Sequence, residues 1–310
     1  MHRTPTPPFT LTAKDEDILR AVARYRFLTT LDVAHLLFKP SYLPYIRGRL
    51  SRLAGDKDHQ TNHYLYRFAL PSERGNSERI FTLGTKGREH VAALGHPVAW
   101  HFRPDRMRHV SYGQISHALL LTRFLVAWRA WCRGREDVAL LEERISYEIA
   151  QEPPQVTLTI RKDKTIPLTV IPDAWLHFDR LERGEHTQYL AVLCELDRGM
   201  EHGQKFKQHV RGRIELIRSG EYQRVFGVPG VVVAYLTTGQ TPEYRTTRMK
   251  TMNAWTREVL RELGLESWAA IFRFTAVEFD RLYETVDSLF ASPVWLRPDS
   301  PATPVPLVPA

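Results

Sequence analysis

The sequence predicts two folded parts of different class, a small α+β module of helices and a strand pair, then a mixed-sheet α/β domain. Three observations predict it. Helix-start signals recur near the N-terminus, and two β-rich runs then flank a polar turn. Beyond residue 115, β-branched and apolar runs alternate with helical patterns and close strand, helix, strand. Charge divides the chain at the same place. Residues 1–110 hold 18 Lys and Arg against 10 Asp and Glu, whereas residues 111–310 hold 25 of each. The formal excess of +8 therefore lies entirely in the N-terminal third, the pattern of a polyanion-binding module joined to a neutral one.

A length of 310 residues accommodates two cores, and 43% hydrophobic with 25% charged residues is ordinary for a globular chain. No apolar run approaches the ~20 residues of a membrane span, and MHRTPTPPF has no signal-peptide core. Cys132 and Cys194 lie far apart without metal-ligand spacing, which excludes a disulfide framework or zinc ribbon. A reducing cytoplasm and no membrane partner are expected.

The elements follow in order. Residues 1–10 are expected to be a disordered start. Thr12 to Asp15 reads as a capping box, followed by Ile18, Leu19, Val22 and Phe27 at helical spacing. Thr29 to Asp32 opens a second, short helix that buries Val33, Leu36 and Leu37, and Lys39-Pro40-Ser41 ends it. A third helix, about Tyr42 to Lys57, buries Ile46, Leu50 and Leu53 and leaves Tyr45, Arg47, Arg49 and Arg52 off the buried stripe. Two extended runs, His63–Phe68 and Arg79–Leu83, flank the turn PSERGNS, and a helix from about Thr85 to Leu94 closes the module. Helix, helix, basic helix, hairpin is the order of a winged helix-turn-helix over residues 11–95, with the third helix in a DNA major groove and the hairpin on the backbone. Guanidinium groups pair with phosphates and, bidentately, with guanine edges. The DNA-binding candidates are Tyr45, Arg47, Arg49, Arg52, Arg74 and Arg79. His59 and His63 lack a third metal partner and read as surface histidines.

Residues 96–113 read as a basic linker. The second domain, 114–290, opens with a helix at about Ile115–Trp131, whose His117 reads as a helix-start residue. Strands are expected at Val156–Ile160, at Ile166–Ile171 running on into Ala174–Phe178, and at Tyr189–Leu196. A helix at Gly203–Arg218, a strand at Gly230–Leu236, a helix at Thr246–Leu263 and a strand at Trp268–Phe274 complete it. The tail 291–310, with six prolines from Pro293 onward, is expected to be disordered.

Carboxylates stand where buried strands tolerate few, Asp173 in VIPDAWLHF and Glu195 and Asp197 in LAVLCELDRG. Helix, three strands, helix, strand is the order of the PD-(D/E)xK nuclease core, a restriction-endonuclease-like fold. In that core the Asp173 and Glu195 positions hold Mg²⁺ or Mn²⁺, which activates water against a phosphodiester. Asp197 stands in place of the usual lysine, and Lys205, one turn into the next helix, is the candidate substitute.

The winged-helix pattern, IPDAW, CELDRG and the lysine-bearing helix together resemble the replication-relaxation proteins of plasmids and conjugative elements, over roughly residues 10–275. That resemblance implies double-stranded DNA as partner and a role in plasmid replication or transfer. Three readings follow: a DNA-binding protein with a degenerate nuclease-like domain, a Mg²⁺-dependent endonuclease or nickase targeted by the winged helix, or an adaptor for other replication or transfer proteins. A homodimer fits each. No His-x-His cluster of relaxase type is present.

Overall fold

The computed structural model describes residues 9–55, 63–69, 78–96, 98, 111–161, 164–182 and 185–308. The chain divides into two compact units, Met1–Ala130 and Trp131–Ala310.

The first unit begins with α1 (Ala13–Tyr25), β1 (Leu28–Thr29), α2 (Thr30–Leu37) and α3 (Leu43–Leu53). Both capping boxes form. The Asp15 carboxylate accepts from the Thr12 amide at 2.8 Å and the Asp32 carboxylate accepts from the Thr29 amide at 2.8 Å, which satisfies amides that have no intrahelical acceptor. Ile18, Leu19 and Val22 of α1, Val33 of α2 and Ile46, Leu50 and Leu53 of α3 are fully buried, as helical spacing predicts, whereas Leu36 and Leu37 of α2, expected to be buried, are only half-buried. Then come β2 (Leu65–Ala69), β3 (Arg79–Leu83) and α4 (Thr85–Ala93), and the sheet order is β1-β3-β2 with both pairs antiparallel. At the strand-to-helix corner a Cβ on Gly87 would lie 2.0 Å from the Tyr64 carbonyl oxygen, so only glycine lets α4 sit that close.

Helix α5 (Tyr112–Arg133) departs from expectation. The sequence pattern makes it the opening of the second domain, yet all but its last turn falls within the first unit. Ile115 packs with Phe27 and Ile80, and Thr122 donates to the Tyr25 carbonyl at 3.3 Å. Arg123 pairs with Glu78 at 2.6 Å and Asp32 at 3.6 Å.

In the second unit, β4 (Val138–Ile145), α6 (Ser146–Ile149), β5 (Gln155–Arg161), β6 (Lys164–Thr169), β7 (Ala174–Glu182) and β8 (Glu185–Asp197) precede α7 (Gly203–Arg218), α8 (Glu221–Phe226), β9 (Val232–Thr237), α9 (Pro242–Leu263), β10 (Phe272–Ala276) and α10 (Val286–Ala291). The five-stranded sheet runs β10-β9-β8-β7-β4. Strands β4, β7 and β8 pair antiparallel, whereas β8, β9 and β10 are parallel. The two parallel steps are crossed by helices, as parallel connections require.

Here too the strand assignment is corrected. The run expected from Ile166 through Phe178 is split, and its first half pairs with β5 in a separate two-stranded sheet. Strand β4, not β5, is the first strand of the main sheet. Its VALLEERI carries three charged residues and a register shift between Leu140 and Glu142, which hides its alternation. One sheet face, with Trp175, Leu193, Tyr235 and Phe274, packs on Phe206, Val210 and Ile214 of α7 and on Met252, Val259 and Leu260 of α9.

The expected disorder of the tail 291–310 is also corrected over its described part. Trp295 is fully buried and its indole donates to the Leu289 carbonyl at 2.6 Å. Leu296 bridges to Phe274 at the edge of β10, and Val305 bridges back to Trp295. Proline removes donors but does not prevent a large aromatic from finding a core.

Candidate functional site

The first candidate face lies on α3. Its apolar stripe is buried and the helix packs on α2, which leaves part of the opposite side exposed. Tyr45 is exposed and meets Phe38 edge-on at 6.2 Å, Arg47 is exposed, and Arg52 is half-buried. Arg79 is exposed at the start of β3. Arg74 and His59 lie outside the described residues. Exposed Arg67, Lys86 and Arg88 belong to the same unit. Sequence reasoning misses them, because nothing in the spacing of a short strand or an N-terminal turn distinguishes a ligand-facing cation from a solvated one.

Arg49 is placed otherwise. Its side chain is mostly buried, and its guanidinium forks onto the Asp15 carboxylate, with Nε donating at 2.8 Å, and onto Thr12 Oγ1 at 3.0 Å. Burial lowers its pKa and Arg52 adds to the effect. Arg49 is thus a tie from α3 to the α1 cap.

The second candidate site is the carboxylate group of the main sheet. The β7–β8 register pairs Ala174 with Cys194, so Asp173 and Glu195 come one step further along, opposite each other. Strand alternation places Glu195 and Asp197 on the face covered by α7 and α9. Each acid there has its own partner. Glu195 pairs with Arg213 of α7 at 2.5 Å, and Arg213 also donates to the Ile171 carbonyl at 3.4 Å. Asp197 takes a bidentate grip from Arg248 of α9, at 2.8 and 2.9 Å, and accepts from the Gly199 amide at 3.1 Å. Asp173 accepts from the Leu196 amide at 2.7 Å. Burial pushes the Glu195 carboxyl above its ordinary pKa, opposed by Arg213. For Arg213, burial is outweighed by Glu195 and the guanidinium is held charged. Beside them Tyr235 is buried, its Oη without a hydrogen-bond partner among the described residues, and burial pushes its phenol well up.

Lys205 does not join this group. It is exposed and pairs with Glu201 at 3.3 Å, and Glu201 also meets His209 at 3.1 Å. Lys205 instead lines a cleft of about 680 Å³ between α7, α9 and β5, where Lys207–Glu258 and Arg211–Glu262 pairs tie the two helices.

Whether the acids fit Mg²⁺ or Mn²⁺ follows from these partners. Among the described residues no three His, Cys, Asp or Glu side chains form a group that could hold a metal ion. A divalent cation needs several oxygens free to turn toward it, whereas Glu195 and Asp197 are each engaged by a guanidinium. The donor set does not fit a Mg²⁺ centre in this arrangement. Sequence reasoning misses Arg213 and Arg248 as well. The available signal is an arginine inside the apolar stripe Phe206, Val210, Ile214, Ile217, where an unpaired charge would be costly.

Among the described residues no helix is long and apolar enough to cross a membrane. No curated protein and no solved structure matches the chain. A family model does match, the one described as replication-relaxation, over residues 19–232. The match runs from the middle of α1 to the start of β9, and so includes both the α3 face and the carboxylate group. Since it covers well over half of the 310 residues, the chain belongs to the replication-relaxation family.

Proposed function

We propose that this protein binds double-stranded DNA of a plasmid or other mobile element and acts in the control of its replication or conjugal transfer. The N-terminal unit is the grip, a winged helix in which α3 enters the major groove and the β2–β3 pair meets phosphates. One observation carries this reading: the whole formal excess of +8 lies in residues 1–110, with Tyr45 and Arg47 exposed on α3. The family suggests a role in plasmid or mobile-element replication, and DNA is the polyanion that role presents. We read the second unit as a PD-(D/E)xK-like domain in which Glu195 and Asp197 are held in ion pairs. It serves as a platform for other replication or transfer proteins or for a second copy of the chain.

The test is DNA binding by the full chain to a pool of random duplexes across a salt series. Affinity should fall steeply with salt as counterions are released. Arg47→Ala should cost about 1–3 kcal/mol if Arg47 reads a base, or lower the salt slope by about one if it holds a phosphate. Tyr45→Ala should weaken binding as well. Equal binding by a Tyr45→Ala, Arg47→Ala double variant would remove α3 from the interface. The same preparations, incubated with supercoiled plasmid and Mg²⁺ or Mn²⁺, test the nuclease reading, which the facing register of Asp173 and Glu195 favours. Nicking abolished by Asp173→Ala would establish it in place of the platform.

A further inference from the structure

We propose that Arg213 is the permanent cation of the Asp173–Glu195 pair, standing where a divalent metal would otherwise be required, so that the second unit folds without metal ions. Two acids opposite each other on neighbouring strands repel unless a positive charge sits with them. In a metal-dependent centre the ion supplies that charge. Here α7 supplies it. Arg213 is itself buried, its Nε lies 2.5 Å from Glu195, and its other arm reaches the Ile171 carbonyl just before Asp173. Asp173 comes opposite Glu195 when the β7–β8 register is continued one step beyond Ala174 and Cys194. A planar guanidinium holds two acceptors at once, which a lysine ammonium on a flexible stem does less well. Its position is built into the helix rather than borrowed, because Arg213 stands beside Val210 and Ile214 on the face that packs against the sheet.

The neighbouring acid follows the same plan, which makes the pairing a property of the sheet face and not of one residue. Asp197 is gripped by Arg248 from α9, so each helix covering the face delivers one arginine to one acid of the Glu195-Leu-Asp197 run. A dication added beside Glu195 would meet a guanidinium already in contact with the same carboxylate, and would have to displace it or be repelled by it. Loss of Arg213 leaves Glu195 uncompensated beside Asp173, whereas loss of both Arg213 and the Glu195 charge removes that repulsion and leaves Asp173 with its bond from the Leu196 amide. That asymmetry makes the proposal testable independently of the DNA-binding reading.

The experiment is thermal unfolding of the full chain by circular dichroism, in EDTA, Mg²⁺ and Mn²⁺, with a parallel measurement of duplex DNA binding. Wild-type Tm should agree within about 1 °C across the three conditions, as expected when no ion binds the folded state selectively. Arg213→Met should lower Tm by roughly 10 °C, and a Glu195→Gln, Arg213→Met double variant should recover most of that loss. If Arg213→Met does not fold at all, a folded double variant supports the proposal and an unfolded one overturns it. A wild-type Tm raised by Mn²⁺ or lowered by EDTA overturns the proposal, and so does a double variant no more stable than Arg213→Met. Failure of the wild type to bind DNA would count against the proposed function alone and leave the Tm comparison standing.

Discussion

Gly48 occupies the middle of α3, is exposed, and a Cβ there would meet nothing within 4 Å. Nothing in the fold requires glycine at this position, yet a glycine inside a helix costs about 0.5–1 kcal/mol relative to alanine. Gly48→Ala should therefore raise thermal stability by about that amount, read as a higher Tm. If α3 lies in a groove, the same methyl should weaken DNA binding, since helix backbone approaches a ligand most closely where side chains are absent. A stabilised variant with undiminished DNA affinity would take Gly48 out of the interface. Arg49 makes the opposite case. Its charge belongs to Asp15, which is fully buried, so Arg49→Ala should lower Tm by stranding that carboxylate. A loss of DNA affinity without a loss of Tm would return Arg49 to the DNA-facing set.

Among the elements, the C-terminal segment is where composition and structure part most clearly. Its prolines signal disorder, yet Trp295 is fully buried and donates to the Leu289 carbonyl of α10, and Leu296 pairs with the outer strand β10. The segment thus covers a sheet edge that would otherwise present unpaired backbone groups. Trp295→Ala should cost about 3–5 kcal/mol, the usual loss for a buried tryptophan. Truncation after residue 291 should do at least as much, because it also removes Leu296, Leu307 and Val308 from their buried sites. An unchanged denaturant midpoint in both variants would show the segment to be dispensable.

For the whole molecule, the division of the chain inside α5 has a direct consequence. The first unit uses Ile115, Thr122 and Arg123 to complete a core and two ion pairs. A fragment ending at residue 95 lacks all three, whereas one ending at residue 130 keeps them. Thermal melts should find the longer fragment clearly more stable, and equal Tm values would place α5 outside the N-terminal fold.

The helices are legible in the sequence because their signals are local. Thr12 with Asp15, Thr29 with Asp32 and the stripe Ile46, Leu50, Leu53 lie within one or two turns of each other, and helical spacing alone brings them together. The acids at 173, 195 and 197 are likewise visible, as charges in runs that should be buried, and so is their placement at one end of neighbouring strands. What those acids do is not visible. Arg213 and Arg248 stand 18 and 51 residues from the acids they hold, and only the packing of α7 and α9 onto the sheet brings each pair into contact. The first strand of the main sheet and the burial of Trp295 share that character. Long-range pairing selects among local alternatives that sequence leaves equal, so local periodicity determined the main helices, and tertiary contact decided which strands join the main sheet and which charges are paired.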